Sequence, residues 1–351
     1  MNNDNFGFKN QTDDIAPETP VIDIKKEKSV FSRLGFGLAL YTLISFAVAL
    51  IIQIVVLIVS RDFYDTMIFR NALSPVALYL FALPVLLLAI GRIKGEAPIK
   101  RRMSVGEWLL VLLISFGLMY IGAYMGNFVM DTLSSIVGYD YGNALDSLID
   151  YDKLWITAIF VVVVAPIGEE LVFRKLIIDR TKKYGAFVSI FFSALVFGLM
   201  HGNFYQFFYA FAVGLVFGYV YYNTGKIYLS IGLHAAVNFI GSILTAYLSR
   251  GLENSAIMTD VEMTNEEATV AVLNSIGPLF AFFIFFSVVI AAMVCAILIP
   301  IVFRKKIKHS LKSSELGLTV KQTCPIVFAN CGVIVMLVVY GLEFILNLIP
   351  A

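Results

Sequence analysis

The stretch LWITAIFVVVVAPIGEELVFR, residues 154–174, decides how this chain is read. An apolar run from Ala158 to Ile167 leads directly into Glu169, Glu170 and Arg174. Two readings compete. Either the charges sit at the end of a span, where they hydrate freely, or they sit at bilayer depth. A charged side chain in the hydrocarbon core costs a few kcal/mol or more, so the second reading marks a functional site. The rest of the chain has to decide between them.

The chain has 59% hydrophobic residues, 14% aromatic and only 15% charged. Soluble domains hold about 45–50% apolar and about 25% charged residues, so this composition points to a membrane protein. The net charge of +1 gives no reason to expect a nucleic-acid partner. Cys295, Cys324 and Cys331 form no CxxC pair or even-numbered framework, and their apolar surroundings suggest buried free thiols. Residues 1–33 are polar and aperiodic, which reads as a disordered cytoplasmic tail rather than a cleavable leader.

Apolar runs long enough to cross a bilayer, about 20 residues each, then recur to the end of the chain. They cover 34–60, 72–91, 107–137, 154–182, 186–200, 204–222, 227–249, 276–302 and 326–349, which makes an all-α polytopic transmembrane bundle of eight or nine spans. Pro75 and Pro84 mark the second as a kinked or partly interfacial run. Lys and Arg collect in alternate loops: Arg92 to Arg102, Arg180 to Lys183, and Arg304 to Lys312. By the positive-inside rule these loops and the N-terminus are cytoplasmic, and the acidic segments at 140–152 and 253–267 face the other way. Thr264 and Glu267 have capping-box spacing, which predicts a short surface helix in the acidic 251–275 loop. The organisation is thus a tail (1–33), accessory spans (34–137), a core (154–250), an acidic loop (251–275) and further accessory spans (276–351). No inverted repeat of the transporter kind is visible.

Three polar positions stand out in the core. Glu170 and Arg174 share a helix face, while Glu169 is turned about 100° from it. His201 follows Phe197 on one face, and His234 and Asn238 share another. Taken singly, each has a structural explanation: a hydrated helix end, an interfacial histidine, an interhelical hydrogen bond. Depth distinguishes them. With turns near Tyr184 and Thr224, Glu170 and Asn238 each lie 14 residues from a turn and His201 lies 17. At about 1.5 Å per residue these are roughly 21, 21 and 26 Å, and His234 lies roughly 15 Å along. Carboxylate, two imidazoles and a carboxamide are therefore expected in one layer. The third histidine, His309, lies in a basic loop.

Such a set can activate water through a glutamate and hold an oxyanion with His and Asn donors. It could instead bind zinc through Glu169, His201 and His234, but no HExxH sequence is present. Metal-free water activation is the expectation, with no cofactor.

Glu-Glu-x-x-x-Arg at Glu169–Arg174, Phe-x-x-x-His at Phe197–His201 and His-x-x-x-Asn at His234–Asn238, in that order, resemble the CPBP family of intramembrane proteases. That family includes the CAAX prenyl endopeptidases and the bacterial Abi or bacteriocin-immunity-type proteins. The resemblance covers about residues 154–250. It implies a catalytic Glu169 completed by His201, His234 and Asn238, with Glu170, Arg174 and Phe197 in support. It further implies a membrane-anchored peptide substrate, for which the aromatic run Phe207, Phe208, Tyr209 and Phe211 is suited, and a cell-membrane location. A proton-coupled transporter using the same buried groups, or a non-catalytic scaffold or immunity protein, are the alternative readings.

Overall fold

The computed structural model describes residues 22–143, 153–253, 265–311 and 313–349. Among the described residues there is helix and no strand. The main helices are α1 (Ile24–Val59), α2 (Met67–Ile90), α3 (Val105–Val137), α4 (Leu154–Tyr184), α5 (Ala186–Leu199), α6 (Phe204–Thr224), α7 (Ile227–Leu252), α8 (Asn265–Val302), α9 (Val320–Phe328) and α10 (Cys331–Leu346). Their outer faces are greasy: Ile58, Leu88, Phe128 and Phe280 are all exposed. With polar groups held inside instead, this is the pattern of a bundle solvated by lipid.

Among the described residues, seven helices are long and apolar enough to span a bilayer, or eight if the bent pair α9–α10 is one span. The expected eight or nine spans meet this count at eight, and two of the nine apolar runs depart from an unbroken crossing. Helix α5 has 14 residues, short of a full crossing at about 1.5 Å per residue. The expected last span is broken at Ala329 and Asn330 and bent by 69°. Asn330 satisfies both sides of the break: its Nδ2 donates to the carbonyls of Ile326 and Val327, and its Oδ1 accepts from Val333 N.

The tail expectation needs a correction. Residues 1–21 lie outside the described residues, but helix begins at Ile24, capped by Asp23, whose side chain accepts from Lys26 N. Tertiary contacts hold this turn. Glu27 takes a salt bridge from Lys183 at 2.6 Å and a hydrogen bond from the Tyr184 hydroxyl, and the Phe31 ring meets Tyr184 at a tilt and Phe192 edge-on. The Thr264 cap lies outside the described residues, and the helix from Asn265 continues into the span instead of forming a separate surface turn. Cys324 and Cys331 are exposed and Cys295 is half-buried, because apolar sequence in a lipid-solvated bundle does not mean an interior position.

Helices α1 and α10 run side by side, with Gly35 against Gly332 and Val333. A Cβ at Gly332 would collide with the Ser32 carbonyl, so the close approach of these backbones requires glycine. Gly332→Val is therefore expected to lower stability by about 1–3 kcal/mol, the usual cost of overpacking. Thermal unfolding in detergent measures it; an unchanged transition would mean that the two helices can part freely.

Candidate active site

Helix α4 is not uniformly α-helical. It contains π-helical stretches at Ala158–Val164 and Glu170–Leu176, and α7 contains another at Phe239–Leu244. Such wider turns leave carbonyls without their usual partners and recur at functional sites. The sequence supplies a cause for the first. Pro166 has no N–H, so neither Val162 nor Val161, four and five residues back, can receive one from it. Asn238 Nδ2 donates to the Val161 carbonyl at 2.8 Å. In the second stretch, Ser193 Oγ donates to the Phe173 carbonyl at 2.7 Å. Side chains from α7 and α5 thus lock α4 in place through its irregular turns.

The second π stretch carries the charged pair. Glu170 and Arg174 are completely buried, with Glu170 Oε2 3.3 Å from Arg174 Nε. Arg174 Nη1 donates to Ser193 Oγ at 3.2 Å, and the guanidinium lies 4.5 Å from the Phe197 ring centroid. Desolvated charges are tolerated only when paired, and here each charge has the other as its partner.

His234 joins both glutamates. Its Nδ1 lies 3.1 Å from Glu170 Oε1 and its Nε2 3.5 Å from Glu169 Oε2. Phe217 stacks on the imidazole at 5.1 Å and Phe197 meets it edge-on at 5.6 Å, which fixes the ring plane. With the Nδ1 proton given to Glu170, Nε2 faces Glu169. Glu169 is the open member: its side chain is 22% exposed, against 4% for His234 and none for Glu170.

His201 is half-buried at the end of α5, its Nδ1 2.9 Å from the Phe197 carbonyl. A carbonyl only accepts, so Nδ1 carries the proton and Nε2 the lone pair. The predicted residues therefore meet unevenly. Glu169, Glu170, Arg174 and His234 form one contact chain, Phe197 touches both histidines, and Asn238 commits one amide hydrogen to the backbone of α4.

Several neighbours were not found by sequence reasoning. The phenols of Tyr41, Tyr79 and Tyr209 lie within electrostatic reach of Glu169. Tyr79 lies over Gly168, where any Cβ would strike its ring, and donates to the Ala165 carbonyl at 3.3 Å. Tyr209 faces His201 with ring centroids 6.4 Å apart. Ser193 could have been read from the sequence, since it stands four residues before Phe197 and eight before His201 on one face of α5. Tyr41 and Tyr79 carry no comparable signal. Phe207 and Phe208 lie against each other and Phe211 against Phe191, so most of the aromatic run serves packing.

An acidic residue beside an imidazole, both inside an apolar bundle, is the decisive local feature. Residues 151–240 match the family model described as type II CAAX prenyl endopeptidase Rce1-like. This stretch is an Rce1-like domain. It runs from the start of α4 through the His234–Asn238 turn, so every residue of the contact chain lies within it. Neither a curated protein nor a solved structure matches the chain. With seven or eight candidate spans among the described residues, some of them within the matched stretch, the chain is a multi-pass membrane protein that carries an Rce1-like domain.

Proposed function

We propose that the protein is an intramembrane endopeptidase in which Glu169 activates water against a peptide bond of a membrane-anchored substrate. The observation that carries this reading is the 3.5 Å contact between the partly exposed Glu169 and the buried His234, inside a domain of the Rce1-like kind. Glu169 removes one proton from a water whose other hydrogen is accepted by His201 Nε2. The water oxygen bonds to the scissile carbonyl carbon as the carbonyl electrons move onto oxygen. The second amide hydrogen of Asn238 stabilises that oxyanion. The proton held by Glu169 then passes to the amide nitrogen as the C–N bond breaks, and the new carboxylic acid gives its remaining proton to the released amine, leaving a carboxylate and an ammonium. Glu170 and Arg174 hold His234 in register and touch no substrate.

A metal-free reaction belongs to this reading: among the described residues no group of three or more His, Cys, Asp or Glu side chains is gathered to hold a metal ion. The N-terminus and the basic loops face the cytoplasm in this reading, and the protein resides in the cell membrane.

The test is a panel of peptides presented to the purified protein in liposomes, prenylated at a cysteine near the C-terminus or tethered by an acyl chain. Cleavage that persists in chelator is expected, with a detectable preference for lipidated over free peptide. Chelator-sensitive cleavage would overturn the metal-free mechanism, and solute movement without any cleavage would replace the protease with a transporter.

A further inference from the structure

Among the described residues, eight buried polar side-chain atoms lack a good hydrogen bond within the protein. Thr42 Oγ1, the Tyr340 hydroxyl and Glu343 Oε2 are three of them, contributed by α1 and α10, which lie outside the Rce1-like domain. Thr42 is 2% exposed and Tyr340 is fully buried. Helix geometry places these groups together. The contact of Gly35 with Val333 sets the register of α1 and α10, which run in the same direction, and Thr42 and Tyr340 each stand seven residues further on. The two hydroxyls therefore lie at one height, facing each other without closing a hydrogen bond of good geometry. Glu343 follows Tyr340 by three residues on the same face, and its carboxylate occupies the space a Cβ would take at Gly202, the residue after His201.

The same measurement brings Glu169 to this level. The Tyr184–Glu27 hydrogen bond joins α4 to the start of α1. Fifteen residues back along α4 stands Glu169, and fifteen on along α1 stands Thr42, so each lies roughly 20 Å from that bond at about 1.5 Å per residue. Tyr41, next to Thr42, lies within electrostatic reach of both Glu169 and Tyr340. Polar groups thus continue from the His201 loop to the glutamate through a bundle that is otherwise apolar. Buried polar groups that lack protein partners hold ordered water when the site is polar and roomy enough.

We propose that Glu343, Tyr340, Thr42 and Tyr41 line a water path that feeds Glu169 from the loop carrying His201. The role of water as reactant rests on the hydrolytic reading; the path itself does not. It explains why helices outside the matched domain carry orphaned hydroxyls and a carboxylate: they deliver the co-substrate that hydrocarbon would exclude. These residues position water and do not touch the scissile bond.

Radiolytic hydroxyl-radical footprinting of the protein in nanodiscs tests the path, because bound water generates the radical beside the side chain it touches. Tyr41 and Tyr340 are expected to be oxidised at least about tenfold faster than Phe217, which is equally buried. Thr42→Val with Glu343→Leu is expected to reduce that oxidation severalfold. On the lipidated peptide it is expected to lower kcat about tenfold with KM within twofold, while Glu343→Gln, which keeps the polarity, retains most of the rate. Protection of Tyr340 equal to that of Phe217 would overturn the path, whatever the enzyme assay gave. Oxidation as expected with no cleavage by the native protein would leave the path standing and remove the protease reading. A variant that raises KM with kcat unchanged would make these residues part of the substrate's seat and overturn the water role.

Discussion

Glu169→Gln is expected to lower the rate of peptide cleavage by a factor of about 10²–10⁴, the range a positioned general base contributes, while the protein still inserts and folds. The substitution removes the basic oxygen and keeps the shape. Glu169 is also the least committed of the charged residues in the site. Its side chain is 22% exposed, and its contact is the 3.5 Å approach to His234, whereas the ion pair with Arg174 belongs to Glu170. Folding does not depend on its charge, so activity and stability should separate cleanly. The comparison variant Glu169→Asp keeps a base but withdraws it by one methylene, and a 1 Å misplacement can cost about 10²-fold. Initial rates on the lipidated peptide, with thermal unfolding in detergent as the control, measure both. Cleavage within tenfold of wild type in Glu169→Gln would remove the glutamate from the mechanism.

How much of this was legible beforehand varies by element. The long spans follow from apolar length alone, and their cores fell where the runs from Leu34, Glu107, Leu154 and Phe204 placed them. The Glu169, His201 and His234 layer was legible because turns at Tyr184 and Thr224 fix depth, and helix rise does the rest. The boundary of α1 was not, because residues 24–33 are polar and their helix is stabilised by Glu27 and Phe31 contacting Lys183, Tyr184 and Phe192, far away in sequence. Nor was the break at Asn330, where one side chain satisfies carbonyls and an amide on opposite sides. The π stretches lay in between. Pro166 shows that a carbonyl near Val161 must find another partner, but only the fold reveals that Asn238 supplies it. That detail changes the chemistry assigned to Asn238, since one of its two amide hydrogens is already engaged. Tyr41 and Tyr340 look like ordinary span aromatics until the parallel register of α1 and α10 is known.

The largest expected loss of stability comes from Arg174→Met. Its side chain is fully buried, and it meets Glu170 at 3.3 Å, Ser193 at 3.2 Å and the face of Phe197 at 4.5 Å. Methionine fills part of that volume but leaves the Glu170 carboxylate buried without its cationic partner. Breaking one side of a buried ion pair costs about 3–5 kcal/mol, most of it the penalty of the stranded charge rather than the value of the pair. The single variant is therefore expected to lose its cooperative thermal transition in detergent or to fail to accumulate. The double variant Glu170→Gln/Arg174→Met removes both charges and is expected to regain most of the stability, since a matched neutral pair has no charge to strand. It should not regain activity. With Glu170 neutral, the proton on His234 Nδ1 loses its charged acceptor, the imidazole is no longer held with Nε2 toward Glu169, and kcat should stay down while the fold returns. Arg174→Lys falls between, because an ammonium keeps the charge but lacks the planar fork that reaches Glu170 and Ser193 together. A double variant as unstable as Arg174→Met would mean that the guanidinium holds the helices together through Ser193 and Phe197, with Glu170 as its passenger. Recovery of both stability and activity would show that His234 is oriented by its two phenylalanine neighbours alone.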